Sequence, residues 1–114
     1  MKTMRVELDV GGKRFATTRT TLRKSGHTFF VRLADSDADV IFVDRDPTHF
    51  RIVLNYLRDC QAVLPTTQIH LLEIEQEARF YCLEELARAA GTAARRPEEN
   101  FLQDIARTLQ SRLP

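Results

Sequence analysis

Cysteine is scarce in this sequence, and its two copies, Cys60 and Cys82, lack the spacing of a metal site or a disulfide framework. A chain with so few cysteines is typical of a reducing compartment, so we expect a cytoplasmic protein. The three histidines are dispersed, and no second histidine or cysteine lies three or four residues from His49. We therefore predict no metal site and expect His49 to be a surface residue of a helix.

The sequence also lacks long apolar runs and a dominant charge. No run approaches the roughly 20 apolar residues that a membrane-spanning helix requires, and residues 1–5 lack the apolar core of a secretory signal. The 17 basic and 16 acidic residues nearly cancel, which argues against nucleic-acid binding driven by bulk charge. We expect no membrane span, no nucleic-acid partner and, with 114 residues, one main domain.

Patterns for catalysis and nucleotide binding are incomplete. Gly11-Gly12 is followed by Lys13-Arg14, whereas a phosphate-binding loop needs Ser or Thr after the lysine. Ser25 lies two residues before His27, but the sequence of a nucleophile elbow does not surround it. The aspartates of the polar loop over residues 34–39 lack the glycine and terminal glutamate of a calcium loop. We therefore predict a non-enzymatic protein with no catalytic residue, cofactor or metal.

A β-hairpin is predicted near the start of the chain. Apolar residues at positions 4, 6, 8 and 10 alternate with charged residues at 5, 7 and 9, which is typical of a half-buried strand. Gly11-Gly12 follows as a two-residue loop that needs positive φ angles, and Lys13 to Thr17 continues as the second strand.

A second strand-to-helix unit follows. The β-branched and aromatic run Val40 to Val43 predicts a strand buried on both faces. Asp46 occupies an N-cap position and Pro47 the first helical position. Apolar residues at positions 50, 53, 54 and 57 then predict one stripe that faces a core. Asp44 and Arg45 are left at a charged corner between strand and helix.

The sequence predicts further helices before and after this strand-to-helix unit. Thr18 or Thr20 can cap a short helix, and Thr28 can cap a second one. Further helices follow Pro65, and Gly91 is expected to end the last of them. The sequence thus predicts an α+β domain over residues 1–90, in which a small mixed sheet with an N-terminal hairpin packs against a cluster of helices.

Residues 91–97 are predicted to be a linker and residues 98–114 an amphipathic helix. An apolar stripe of Phe101, Leu102, Ile105 and Leu109 marks this tail as a docking element. The stripe can fold back on its own domain or dock on a neighbouring subunit or partner, and both alternatives bury the same residues.

Several ordered segments resemble one family. They are Val6 to Phe15, Thr17 to Leu22, Phe29 to Leu33, Phe42 to Pro47, Leu54 to Arg58 and Glu77 to Leu86. Together they resemble the BTB/POZ-type tetramerisation domain that voltage-gated potassium channels share with the potassium-channel-tetramerisation-domain (KCTD) proteins. Asp9 and Cys60 depart from it, because they stand where the family usually has asparagine and a helix-ending glycine. The chain also lacks the three cysteines of the channel zinc site, so the KCTD-like soluble branch is the better match.

The resemblance implies a BTB/POZ fold and self-association, with four or five subunits meeting head to tail. Arginine suits bidentate pairing across such an interface. The implied interface residues are Asp9, Arg14, Asp44, Arg45, Asp46, Asn55 and Arg58, with Arg45 and Arg58 expected to bridge to acids such as Asp9 or Asp44 of the next subunit. Asp44, Arg45 and Asp46 can instead be a capped corner with a local ion pair, which would contribute only about 0–1 kcal/mol if exposed. Two alternatives stay open: a substrate adaptor of a cullin-3 ubiquitin ligase and a small structural subunit of a larger assembly.

Overall fold

A computed structural model of the chain describes residues 3–96. Three strands form one mixed sheet in the order β2-β1-β3, with β1 antiparallel to β2 and parallel to β3. This small sheet, its N-terminal hairpin and the surrounding helices confirm the predicted α+β class. The elements are β1 (Arg5–Val10), β2 (Lys13–Thr18), α1 (Arg19–Lys24), α2 (Thr28–Asp35), β3 (Val40–Val43), α3 (Phe50–Asp59), α4 (Gln68–Phe80) and α5 (Glu84–Ala94).

The tail predictions lie outside the described residues. They concern the helix over residues 98–114 and its docking residues Phe101, Leu102, Ile105 and Leu109.

The hairpin turn is formed as predicted by Gly11 and Gly12, whose φ angles are 55° and 102°. Asp9 supports it, because its Oδ1 accepts a hydrogen bond from the Gly12 amide at 2.9 Å. Gly11 also packs against the carbonyl oxygen of Arg45 so closely that a Cβ atom would overlap it. The turn therefore requires glycine both for its φ angles and for its contact with the chain that follows β3.

Strand β3 is an edge strand, so the prediction of a strand buried on both faces is wrong. Within residues 3–96 its only strand partner is β1. Val43 is 5% exposed, whereas Val40 and Phe42 are 42% and 64% exposed. Val40 and Phe42 are opposite Glu7 and Asp9 of β1 in register, and thus share the outer face of the sheet. An apolar run alone cannot tell a central strand from an edge strand.

The core is organised around Tyr81, which is fully buried at the end of α4. Its ring centroid lies 5.2 Å from those of Phe29 and Phe30 and 5.6 Å from that of Phe50. Helices α2, α3 and α4 therefore meet in one aromatic cluster, and aromatic ring pairs at such distances contribute about 0.5–1.5 kcal/mol each beyond area burial.

Helix α3 begins at Phe50, three residues later than the predicted start at Pro47. Asp46 instead stabilises the turn that precedes the helix, because its Oδ1 accepts a hydrogen bond from the Thr48 amide at 2.7 Å. The Phe50 amide donates to the Pro47 carbonyl at 3.0 Å, which closes a tight turn before the helix. His49 lies in this turn and is buried, with Nε2 3.1 Å from Glu73 Oε1. Its predicted surface position is therefore wrong.

Of the two predicted candidates Thr18 and Thr20, Thr18 caps α1, since its side chain accepts from the Thr21 amide at 3.1 Å. Thr28 is instead the first residue of α2, and the N-cap residue His27 makes no side-chain capping bond. Helix α2 extends to Asp35, so the polar loop is shorter than the predicted 34–39.

Arg19 holds this loop through hydrogen bonds to its backbone, a role that the sequence did not predict. It is 2% exposed. Its guanidinium donates to the carbonyls of Ala34, Ser36 and Ala38 at 3.0, 2.7 and 3.0 Å. Nε also donates to the Thr3 carbonyl at 2.6 Å. One buried arginine therefore donates to carbonyl groups both in the loop before β3 and in the segment before β1.

The helix ends differ from expectation in two ways. Cys60 ends α3 by adopting the left-handed conformation itself, with φ 59° and ψ 18°, where the resembling family usually has glycine. Helix α5 continues through Gly91 to Ala94. The predicted helix end at Gly91, and with it a linker that begins there, is therefore wrong. Gly91 serves close packing instead, because the Glu75 side chain of α4 crosses directly over it.

Candidate functional site

Most of the predicted interface residues lie in two groups at opposite edges of the sheet. Asn55 and Arg58 of α3 lie beside β2, which forms one edge. Asp44 and Asp46 follow β3, which forms the other edge. Asp9 of the central strand β1 and Arg14 of β2 are opposite each other on the outer face of the sheet and form a third group. The sequence separation of these residues gave no indication of this division.

The edge next to β2 carries a recess that we call the cationic recess, lined by Arg5, Ala16, Thr17, Thr18, Thr21 and Arg58. Arg58 is oriented here by two bonds, from Nη2 to the Ala16 carbonyl at 3.0 Å and from Nη1 to Asn55 Oδ1 at 3.2 Å. Thr17 is 6% exposed, and its buried hydroxyl has no hydrogen-bond partner among the described residues. The lining contains two arginines and no carboxylate, so it favours an anionic group.

The outer face of the hairpin carries its own ion pairs. Asp9 and Arg14 are opposite each other in register, with Arg14 Nε 4.0 Å from Asp9 Oδ2. Arg14 Nη1 also donates to Glu7 Oε2 at 2.8 Å. Exposed pairs of this kind contribute only about 0–1 kcal/mol to stability, so they hold side chains in position more than they hold the fold together.

The other edge ends in what we call the acidic corner, Asp44 and Asp46. Both residues are exposed. Hydrogen bonds from the Thr48 side chain and backbone lower the pKa of Asp46 below its usual value. The corner therefore presents negative charge beside the exposed ring of Phe42, at the edge opposite the cationic recess.

Arg45 lies between the two aspartates but turns toward its own chain. Its Nε donates to Glu77 Oε1 at 3.1 Å, and Nη2 donates to Glu77 Oε2. Its Cζ lies 4.2 Å from the centroid of the Phe80 ring. The hydrogen bond to Glu77 is the main reason that the pKa of Arg45 is raised. The bridge across subunits expected for Arg45 stays a prediction, whereas this partner within the chain was not anticipated.

Glu77 and Phe80 were nevertheless visible in the sequence. They lie three residues apart in the segment Glu77 to Leu86 that carries the resemblance, and residues at this spacing share one face of a helix. That signal indicated a packed helix but not its contact with Arg45, because the two segments are 32 residues apart.

The described part of the chain offers no metal centre and no membrane-crossing element. Within residues 3–96, no group of three or more histidine, cysteine, aspartate or glutamate side chains is placed to hold a metal ion. Over the same residues, none of the helices combines the length and the apolar character needed to cross a bilayer.

Comparison with known proteins gives a consistent family match. The BTB/POZ domain family model matches residues 6–90. BTB/POZ domain-containing protein KCTD5 of Mus musculus is 34% identical over 107 residues, which cover 86% of this chain and 45% of the relative. BTB/POZ domain-containing protein KCTD3 of Homo sapiens is 38% identical over 90 residues, which cover 73% of this chain and 11% of the relative. SH3KBP1-binding protein 1 of Bos taurus is 39% identical over 90 residues, which cover 73% of this chain and 12% of the relative. The chain thus spans less than half the length of these relatives.

Proposed function

Since the chain belongs to the BTB/POZ domain family, we propose that it is a non-enzymatic interaction module whose copies associate with one another. The KCTD relatives support the coarse function of a protein-interaction module. Self-association through the cationic recess and the acidic corner is the finer proposal, and the geometry of the sheet edges supports it.

The placement of the two charged groups carries this proposal. The cationic recess lies beside β2 and the acidic corner follows β3, at opposite edges of a sheet only three strands wide. Two copies that met through the same patch would bring like charges together. A head-to-tail contact instead joins the recess of one copy to the corner of the next. Such heterologous contacts close into rings when the rotation permits, which fits an assembly of four or five subunits.

The proposed contact gives each residue a role. Arg58 is pre-oriented by the Ala16 carbonyl and Asn55, so it can pair with an incoming Asp44 carboxylate without losing much side-chain entropy. Phe42, exposed beside the acidic corner, adds apolar area that an assembled ring would bury. Arg45 supports the corner from within the chain through Glu77 and Phe80.

The mass of the full chain in solution tests the proposal. We expect multi-angle light scattering to give four or five times the chain mass. Arg58→Ala should weaken association by roughly tenfold or more, because it removes a charged hydrogen-bonding group at each contact. Arg51→Ala is the matched control, since Arg51 is an exposed arginine of the same helix. A monomeric wild-type chain, or equal weakening by both substitutions, would contradict the proposed interface.

The cullin-3 adaptor role, the structural-subunit role and the cytoplasmic location stay predictions. For the adaptor role, the polar loop after α2 and nearby helix ends are the candidate docking surface. Failure to bind the amino-terminal domain of cullin-3 at micromolar concentration would rule that role out.

A further inference from the structure

An apolar groove lies along the outer side of α5, between this helix and the segment that leads into α4. Pro65 and Leu71 form one wall, while Ala89 and Ala93 form part of the floor. Ala89 and Ala93 are exposed and lie four residues apart, so they share one face of α5. Small side chains on that face leave room for another helix to approach closely.

The groove also has a charge preference. Arg88, Arg95 and Arg96 line it, against the single acid Glu85. Arg95 is held in a fixed position there, because its Nη1 and Nη2 donate to the two carboxylate oxygens of Glu75 at 3.0 and 2.9 Å. The rim is therefore suited to a segment that brings apolar residues and acidic groups together.

The chain itself supplies such a segment at the end of the groove. Arg96 lines the groove, and residues 97–114 follow it directly in the sequence. This segment carries the apolar stripe of Phe101, Leu102, Ile105 and Leu109, and its acids Glu98, Glu99 and Asp104 lie in its first half. Both the apolar floor and the arginine rim thus have complements a few residues away along the chain.

We propose that the groove is the docking site for residues 97–114 of the same chain, whose apolar stripe covers Ala89 and Ala93. Helix α5 ends at Ala94, and the sequence predicts the next helix over residues 98–114. Two antiparallel helices are commonly joined by about 2–5 residues, so Arg95, Arg96 and Pro97 suffice for the reversal. In that arrangement Leu102 lies level with Ala89, and Ile105 lies further toward the start of α5.

The proposal does not depend on ring formation. The groove is lined by α5, the start of α4 and the segment before α4, whereas the cationic recess and the acidic corner lie at the sheet edges. Docking of the tail removes an apolar surface that would otherwise face water or another protein.

A disulfide test on the full chain identifies the occupant. The native thiols Cys60 and Cys82, both exposed and free, are first replaced by serine. The test variant then carries Ala89→Cys and Leu102→Cys, and the matched control carries Ala89→Cys and Gln103→Cys. Gln103 is one residue further along but off the apolar stripe. We expect the test variant to form a disulfide within one chain, seen as a loss of two hydrogen atoms in the intact mass, and the control not to.

Three results would overturn the proposal. A disulfide between two chains on a denaturing gel would assign the groove to the tail of a second copy. Equal oxidation of test and control variants would show an undocked tail that samples many positions. No disulfide in either variant would place the tail elsewhere.

Amide hydrogen exchange provides a second measurement without introduced cysteines. Ile105→Asp should raise exchange over residues 85–96 by about tenfold, because it undocks the stripe. Gln103→Asp adds the same charge off the stripe and should leave exchange unchanged. Light scattering of the same samples reports the ring separately, so failure of tail docking and failure of self-association are distinguishable.

Discussion

Gly91 of α5 lies directly beneath Glu75 of α4, and a Cβ atom on Gly91 would come within 2.9 Å of Glu75 Cδ and 2.6 Å of Arg95 Nη1. Glu75 accepts hydrogen bonds from Arg95 and from Arg79, the latter at 3.0 Å. This bridge passes through the space that a side chain at position 91 would fill. Glycine at position 91 therefore leaves the space through which Glu75 of α4 pairs with Arg95 at the end of α5.

Gly91→Ala is expected to lower the free energy of unfolding by about 1 kcal/mol. Alanine favours the helix by about 1 kcal/mol over glycine, but its methyl group would displace the ends of the Glu75 and Arg95 side chains and disturb their ion pair, and overpacking costs about 1–3 kcal/mol. Chemical denaturation measures the difference. The same substitution in a Glu75→Ala background should become stabilising, because the clash is gone. If Gly91→Ala stabilises the wild-type chain as well, the close contact has no energetic consequence.

The Glu75 bridge should make stability depend on pH in the acid range. Hydrogen bonds from Arg95 first, and then from Arg79, lower the pKa of Glu75 in the folded chain. Its contribution is thus fully present above the pKa of an unfolded glutamate, about 4.3, and is lost as the pH falls through the lower folded-state value. Glu75→Gln should be less stable than wild type at pH 7, and the difference should shrink below about pH 4.

The control for this pH dependence is Glu84→Gln. Glu84 has a side chain 68% exposed, 3.8 Å from Arg79. Urea denaturation midpoints of this variant should track the wild type across the pH range. A difference between wild type and Glu75→Gln that stays constant with pH would contradict the role of the carboxylate charge.

Arg19→Met should lower the free energy of unfolding by roughly 3 kcal/mol or more, since four carbonyl groups would lose a charged donor and each hydrogen bond to a charged group contributes about 1.5–3 kcal/mol. Arg23→Met is the matched comparison on the same helix. Arg23 has a side chain 50% exposed and pairs with Asp35 at 3.1 Å, so its loss should cost less than about 1 kcal/mol. Equal losses for the two variants in thermal or denaturant unfolding would show that Arg19 does not hold the loop.

Exchanging the proposed interface charges tests their contact directly. Asp44→Arg and Arg58→Asp should each weaken association, because each places like charges face to face at every proposed contact. The double variant should recover part of the wild-type assembly, with a coupling free energy of about 1.5 kcal/mol or more, as in measured interfacial charge pairs. Sedimentation velocity at low and high salt would measure this, and salt should weaken the wild-type assembly. Strictly additive effects would mean that the two residues do not meet.

Cys60→Gly should raise the free energy of unfolding by about 0.5–1 kcal/mol, because a left-handed conformation costs a residue with a side chain about 1–2 kcal/mol, part of which glycine loses again in backbone entropy. Cys60→Ser keeps the side-chain size and should change stability little. Cys82, with φ 61°, offers an independent test of the same reasoning. A destabilised Cys60→Gly chain would indicate that the Cys60 side chain contributes contacts of its own.

The sequence was sufficient for features set by residues close together in the chain. Alternating apolar residues and two adjacent glycines predicted the hairpin, and the threonines at positions 18 and 20 predicted a capped helix start after it. The ordered motifs predicted the BTB/POZ family, which the match over residues 6–90 confirms. These features depend on local backbone preferences and on side-chain periods of two or about 3.6 residues.

The sequence was insufficient where a residue's role depends on a distant segment. An apolar run over residues 40–43 does not reveal how many strands flank it, so the exposure of Phe42 was missed. A glycine near a helix end is consistent with termination or with close packing, and only the position of Glu75 on another helix decides for Gly91.

The sequence by itself determined the family, the hairpin and the presence of three charged residues at the corner after β3. Only the tertiary structure decided which charges are used within the chain and which face outward. Arg45 pairs with Glu77, 32 residues away, while Asp44 stays exposed and Arg58 turns to the opposite edge of the sheet. The physical reason is that an ion pair depends on distance in space, and strand order sets that distance.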